Sequence, residues 1–104
     1  MDFIEACRKF ISIDSTPAQG NWQLAMFCKQ FAESLGLSVD VQEESYGDLG
    51  QANIIIRPVL QDQNKIISRP ANEFMLQTHL DTPDPGPYGL WQGTGHNPFD
   101  AHII

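Results

Sequence analysis

The stretch Leu37-Ser38-Val39-Asp40-Val41-Gln42 marks the point at which the hydrophobic period of the chain changes. Its apolar and polar residues alternate, which is typical of a half-buried β-strand. Upstream, apolar residues recur every three or four positions, whereas downstream there are short apolar runs separated by turn residues. The sequence therefore predicts a mixed α/β fold in which helices come first and strands follow.

Two helices are predicted upstream of this stretch. The first runs from Asp2 to Ile13, and the spacing of Asp2 and Glu5 is that of a capping box. The second runs from about Asn21 to Leu35 and ends at Gly36, a typical C-terminal cap. Its predicted buried stripe, which is assigned to ordinary core packing, consists of Leu24, Phe27, Cys28, Phe31 and Leu35.

Two further strands and two loops are predicted downstream. Asn53–Arg57 is a short and mostly apolar strand, and Phe74–Thr78 is apolar enough to lie inside a sheet. Between them, Gln61–Asn72 is polar and predicts a surface loop. Four of the seven prolines and four of the eight glycines lie between Pro83 and Pro98, which predicts a long loop of defined shape.

Length and composition exclude several classes of protein. A chain of 104 residues with 41% hydrophobic and 18% charged residues indicates one small globular domain. The net charge of -7 argues against a nucleic acid or an anionic membrane as partner, and no apolar run approaches the roughly 20 residues of a membrane span. The N-terminus has no signal-peptide pattern, and Cys7 and Cys28 are predicted to be reduced core thiols of a cytoplasmic protein, a disulfide being the less favoured alternative.

The segment Thr78-His79-Leu80-Asp81-Thr82 carries the candidate chemistry. His79 and Asp81 follow the predicted buried strand at a spacing that points both side chains to one side, at the end of the strand where open α/β sheets place ligands. The carboxylate can orient a metal-bound imidazole, or both groups can bind one metal. The alternative is a surface histidine, with Asp81 capping the proline-rich turn.

The residues around this pair resemble one family. The stretch from Phe74 to Pro83, then Trp91, and then Asn97–Ala101 is similar to the zinc-dependent family of aminoacylase, acetylornithine deacetylase, succinyl-diaminopimelate desuccinylase and glutamate carboxypeptidase. Members carry an apolar strand, a His-x-Asp-Thr block, a later Trp and then a Pro-Phe pair. The chain departs from the pattern at Thr78, where many members have Gly, and at Pro83, where many have Val.

This resemblance implies a three-layer α/β/α fold with a mixed central sheet. Residues 1–104 would form the N-terminal part of a metallohydrolase catalytic domain, with two helices and about three strands. His79 would be a metal ligand, and Asp81 would be the catalytic acidic residue that tunes it, in a site for two Zn²⁺ ions or possible Co²⁺ or Mn²⁺ substitutes. A bridging Asp in a Gly-Arg-Gly-x-x-Asp block, a Glu pair, a further carboxylate and a last His would follow Ile104.

The parent protein would hydrolyse the amide bond of N-acyl amino acids or small peptides. The metals would acidify a water and stabilise the oxyanion, and a Glu would accept the proton. A catalytic zinc site needs at least three protein ligands, so the present chain alone is expected to be inactive and to bind zinc weakly or not at all.

Several alternatives remain open at the level of sequence. His96 or His102 could complete a 2-His-1-carboxylate iron site with His79 and Asp81, although proteins that use this arrangement are all-β, and both are more simply loop residues. Trp91 could line a substrate pocket or hold the proline-rich loop in place. The chain could also be a non-catalytic binding module that keeps the scaffold, and an exposed sheet edge could pair two copies.

Overall fold

The computed structural model describes residues 2–47, 49–58 and 75–103. Helix α1 spans Phe3–Ser12, and Asp2 is its N-cap. The Asp2 carboxylate accepts a hydrogen bond from the Glu5 backbone N–H at 2.8 Å, and the Glu5 carboxylate accepts one from the Asp2 N–H at 3.1 Å. These reciprocal bonds confirm the predicted capping box, and they satisfy two N–H groups that the first helical turn leaves without partners.

Helix α2 spans Trp22–Ser34 and supplies most of the core. Gly36, just past its end, has a φ of 81°, the left-handed conformation that suits a helix C-terminus. Within the predicted stripe, Leu24 and Cys28 are buried, whereas Leu35 is 64% exposed because it lies beyond the last helical turn. The buried side chains of α2 are Leu24, Ala25, Cys28 and Ala32.

An aromatic cluster joins the two helices. The Phe10 ring of α1 lies 4.9 Å from the Phe27 ring and 6.4 Å from the Phe31 ring of α2, both edge to face. Aromatic pairs prefer this arrangement because the positive edge of one ring meets the negative face of the other. The cluster fixes α1 against α2 and thereby positions the connector that follows α1.

Strands β1 (Leu37–Tyr46) and β2 (Leu49–Pro58) form an antiparallel hairpin that lies against α2. Leu37 is opposite Pro58, and Tyr46 is opposite Leu49. Both strands extend further than the sequence predicts, since only two residues connect them. The first of these is Gly47, whose φ of 62° suits the primed turns that favour such tight hairpins.

The connector between α1 and α2 is joined to strand β2 by hydrogen bonds from the Asn21 side chain and by a close approach at Gly20. The Asn21 side chain donates to the Ala52 carbonyl at 3.1 Å and accepts from the Ala52 N–H at 2.7 Å, much as a neighbouring strand would. Gly20 has a φ of 75°, and a Cβ at this position would lie only 2.6 Å from the Gly50 carbonyl oxygen. The connector can approach the hairpin this closely only with glycine at position 20.

The predicted third strand is not formed by the residues that the structure describes. Met75–Thr78 have no regular secondary structure, while Phe74 and the predicted loop Gln61–Asn72 lie outside the described residues. The described sheet therefore has two strands instead of about three, and the described residues do not build the three-layer arrangement. A strand needs a partner for its backbone groups and cover for its side chains, and here Met75 is 80% and Leu76 96% exposed.

The proline-rich segment has a defined shape, as its composition predicts. It contains two 3₁₀ turns, Tyr88–Leu90 and Gln92–Thr94. The Asp84 carboxylate accepts from the Gly86 N–H at 2.7 Å, and the Trp91 indole N–H donates to the Pro85 carbonyl at 3.0 Å. These local bonds hold the loop in one conformation.

Cys7 and Cys28 are both free thiols. Burial raises the pKa of the Cys28 thiol, which keeps it in the neutral form. Among the described helices, none has the length and apolar character that a membrane crossing requires.

Candidate functional site

The His79 and Asp81 side chains lie together, although the segment that carries them is not a strand. His79 Nδ1 is 2.8 Å from the Asp81 backbone oxygen and 3.3 Å from its carboxylate oxygen Oδ1. Both side chains face solvent, with 80% and 63% of their surface exposed. The pair thus occupies an accessible position on the protein surface.

The closer partner of the His79 ring is the carbonyl group of Asp81. A backbone carbonyl can only accept a hydrogen bond, so the 2.8 Å contact requires the proton on Nδ1. The neutral ring then carries its lone pair on Nε2, the atom available to bind a cation. The sequence predicts that the carboxylate orients the ring, whereas the structure assigns the nearer contact to the carbonyl and places the carboxylate beside it.

The chemistry of this pair fits zinc, which accepts imidazole nitrogen and carboxylate oxygen as ligands. Among the described residues, no cluster of three or more His, Cys, Asp or Glu side chains is close enough to hold a metal. The pair therefore offers two candidate ligand groups, fewer than the three protein ligands that a catalytic zinc site requires.

Ser15 holds this segment, a contact that the sequence analysis missed. The Ser15 hydroxyl donates to the Leu80 carbonyl at 3.0 Å, and the Thr82 N–H donates to the Ser15 carbonyl at 3.3 Å. Ser15 is only 1% exposed. In the sequence, Ser15-Thr16-Pro17 indicates only that α1 ends, and no local pattern predicts a contact between residues that are 65 positions apart.

An open and mostly apolar pocket of about 460 Å³ lies beside His79. Its lining includes Phe10 and Leu24 from the helices, and Leu80, Trp91 and Phe99 from the later segment. Trp91 lines this pocket and donates to the Pro85 carbonyl within the proline-rich loop, whereas its predicted role of holding that loop to the core stays a prediction.

The other two histidines are not brought together with the pair. His102 Nε2 lies 3.2 Å from an oxygen of the Asp100 carboxylate. His96 has a φ of 64°, and its backbone N–H donates to the Trp91 carbonyl at 2.8 Å. Within the described ranges, neither one forms a three-group cluster with His79 and Asp81, so the alternative iron triad is not assembled there.

The chain matches no protein-family model, no curated protein and no solved structure.

Proposed function

We propose that this chain is the N-terminal part of the catalytic domain of a zinc-dependent amidohydrolase or exopeptidase. Its substrates would be N-acyl amino acids or small peptides. The observation that carries the proposal is the hydrogen bond from His79 Nδ1 to the Asp81 carbonyl. This bond leaves the lone pair of Nε2 free to bind a metal, with the Asp81 carboxylate beside the ring. The resemblance of the surrounding residues to the aminoacylase and carboxypeptidase family supports the same function.

The described residues prepare a metal ligand. The Asp81 carbonyl fixes the Nδ1–H tautomer of His79, and the nearby carboxylate makes the imidazole more electron-rich. When bound, zinc would act as a Lewis acid and lower the pKa of a water molecule.

We also propose the three-layer arrangement of the complete domain. In the complete domain, Phe74–Thr78 would be the third strand of a mixed sheet between two helical layers. The almost fully exposed Met75 and Leu76 support this placement, because a folded protein rarely leaves adjacent large apolar side chains uncovered without a function. The free thiols Cys7 and Cys28 support a cytoplasmic location.

Sequencing the gene downstream of Ile104 tests the proposal. We expect the reading frame to continue into a Gly-Arg-Gly-x-x-Asp block and then an adjacent Glu pair, which would supply the remaining ligands and the general base. A stop codon directly after Ile104, or a continuation that lacks these residues, contradicts the proposal.

Zinc titration of the 104-residue chain provides a second test. We expect weak binding or none, because His79 and Asp81 are fewer groups than a zinc site requires. A stoichiometric, sub-micromolar site that is abolished by His79→Ala would show that the chain is a metal-binding protein by itself.

A second candidate function is a non-catalytic interaction module, which the exposure of the pair and the lack of a three-ligand cluster among the described residues favour. A stop codon after Ile104 together with a stable, metal-free monomer would support it. If the hairpin instead pairs with a second copy through a sheet edge, light scattering will detect a dimer.

A further inference from the structure

We propose that Ser15 is a positioning residue that sets the tautomer of the His79 ring through the two peptide groups on either side of Asp81. The inference rests on the proposed function only in treating His79 as a metal ligand. The contacts themselves follow from the structure.

The two bonds made by Ser15 hold consecutive peptide planes. The Leu80 carbonyl, which accepts from the Ser15 hydroxyl at 3.0 Å, belongs to the peptide group before Asp81. The Thr82 N–H, which donates to the Ser15 carbonyl at 3.3 Å, belongs to the peptide group after it. Since peptide groups are planar, these bonds restrict the rotation of both planes next to Asp81.

The peptide plane after Asp81 also carries the carbonyl group that accepts a hydrogen bond from the His79 ring. Its carbonyl is the Asp81 oxygen that accepts from His79 Nδ1 at 2.8 Å. In a trans peptide the N–H and C=O point in opposite directions, so the Thr82 N–H faces Ser15 while the Asp81 carbonyl faces His79. Ser15 therefore acts on the ring through the backbone of residues 80–82.

Ser15 is itself held firmly enough to serve as an anchor. Ser15 is almost completely buried. The residues on either side of it are also bonded to each other, because the Thr16 N–H and the Thr16 hydroxyl both donate to the Asp14 carboxylate, at 3.0 and 2.7 Å. Among the described residues, no buried side-chain polar atom lacks a hydrogen-bond partner. Removal of the Ser15 hydroxyl would leave the Leu80 carbonyl without this donor and would loosen the first of the two planes.

The test is nitrogen-15 NMR of the neutral His79 imidazole in the 104-residue chain, without metal. We expect the Nδ1–H form to predominate in the wild type. Ser15→Ala removes the hydroxyl bond to Leu80 and keeps the main-chain bond to Thr82. The ratio of the Nδ1–H to the Nε2–H form should then fall about two- to tenfold, the factor that the lost hydrogen bond is worth. A folded Ser15→Ala protein with an unchanged ratio overturns the proposal.

Two matched variants separate positioning from general destabilisation. Ser12→Ala removes another hydroxyl-to-carbonyl bond, from Ser12 to Lys9, at the end of α1. Ser34→Ala removes the matching bond at the end of α2, from the Ser34 hydroxyl to the Phe31 carbonyl. Both variants should keep the wild-type ratio, and an equal shift in either one would show that general destabilisation alone moves the ring.

If Ser15→Ala does not fold, the ratio of the two His79 tautomers in the wild-type chain still tests the proposal. A predominant Nε2–H form in the wild type overturns the proposal without any variant. The readout uses no metal, so its failure differs from failure of the proposed function. If the longer protein bound no zinc while Ser15→Ala still shifted the ratio, the metal role of His79 would be wrong and the positioning role of Ser15 would stand.

Discussion

The region from Asp2 to Pro58 and the region from Met75 to Ile103 differ in how they are stabilised. The first contains all of the buried apolar side chains that the structure describes, in α1, α2 and β2. The second has no buried residue among its described positions, and Met75, Leu76, Leu90 and Ile103 are each more than two-thirds exposed. The first region forms its own core, whereas the second is held by local turns and by the contact with Ser15.

This difference explains why the candidate site lies where it does. Under the proposed function, His79 would have to be accessible so that further ligands could join it, and its side chain is 80% exposed. It would also need a fixed orientation, which we propose that the buried Ser15 of the first region provides. Under the proposed function, the first region would act as the rigid support and the second would carry the chemistry.

The largest expected effect comes from a matched pair of leucines. Leu24, in α2, is 6% exposed, and Leu90, in the proline-rich loop, is 77% exposed. Leu24→Ala should lower the free energy of unfolding by about 2–5 kcal/mol, because it leaves a cavity in the core. Leu90→Ala should change it by less than about 0.5 kcal/mol. Urea unfolding measures both, and equal losses would show that the second region has a core of its own.

The effect of Leu76→Ala can be compared between the 104-residue chain and a protein that continues past Ile104. In the 104-residue chain, Leu76→Ala should be nearly neutral, because this side chain is 96% exposed. In a protein that continues past Ile104, the proposed third strand is buried, and the same change should cost about 2–5 kcal/mol. A neutral effect in both proteins would contradict the proposed burial of this strand.

Two glycines with nearly equal backbone angles test how closely each region is packed. Gly20 has a φ of 75° and Gly86 a φ of 76°, but a Cβ would clash with the Gly50 carbonyl only at position 20. Gly86→Ala should cost about 1–2 kcal/mol for the left-handed conformation alone. Gly20→Ala should cost about 2–4 kcal/mol, since the backbone must also shift. Similar thermal midpoints for the two variants would contradict the close approach of the connector to β2.

A pair of asparagines should show the smallest difference. Asn21 makes two hydrogen bonds to Ala52, which is 31 residues away, whereas Asn97 accepts one local bond from the Phe99 N–H. Asn21→Ala should cost about 1–3 kcal/mol, because it leaves both backbone groups of the buried Ala52 without their partner. Asn97→Ala should cost about 1 kcal/mol or less, and amide hydrogen exchange at Ala52 should be faster only in the Asn21 variant.

The sequence predicts the first region better than the second, and the reason is physical. The Asp2 capping box, the end of α2 at Gly36 and the alternation in Leu37–Val41 are local signals, and the structure contains all three features. The ends of the strands depend on pairing, so the polar part of β1 was not predicted. The predicted third strand is not formed by the described residues, and it would need pairing partners that they do not supply.

At the candidate site, the sequence predicts the proximity of His79 and Asp81 but not what holds them. Residues that are two positions apart are always close in space, so their spacing in the sequence is enough to predict that the two side chains lie near each other. The bonds from Ser15 to Leu80 and Thr82 form only when the chain folds back on itself. The backbone conformation decides that the carbonyl oxygen of Asp81, and not its carboxylate, lies nearest the His79 ring. The sequence alone does not show this conformation.

The most direct test of the central claim uses the protein encoded by the complete gene. Its zinc content and its hydrolysis of N-acetyl amino acids should be measured for the wild type, for His79→Ala and for His102→Ala, the histidine beside Asp100. We expect His79→Ala to lose bound zinc and to lower kcat/KM at least about 100-fold, because the metal stabilises the transition state by several kcal/mol, while His102→Ala keeps both properties. Full zinc content and activity in His79→Ala would contradict the account.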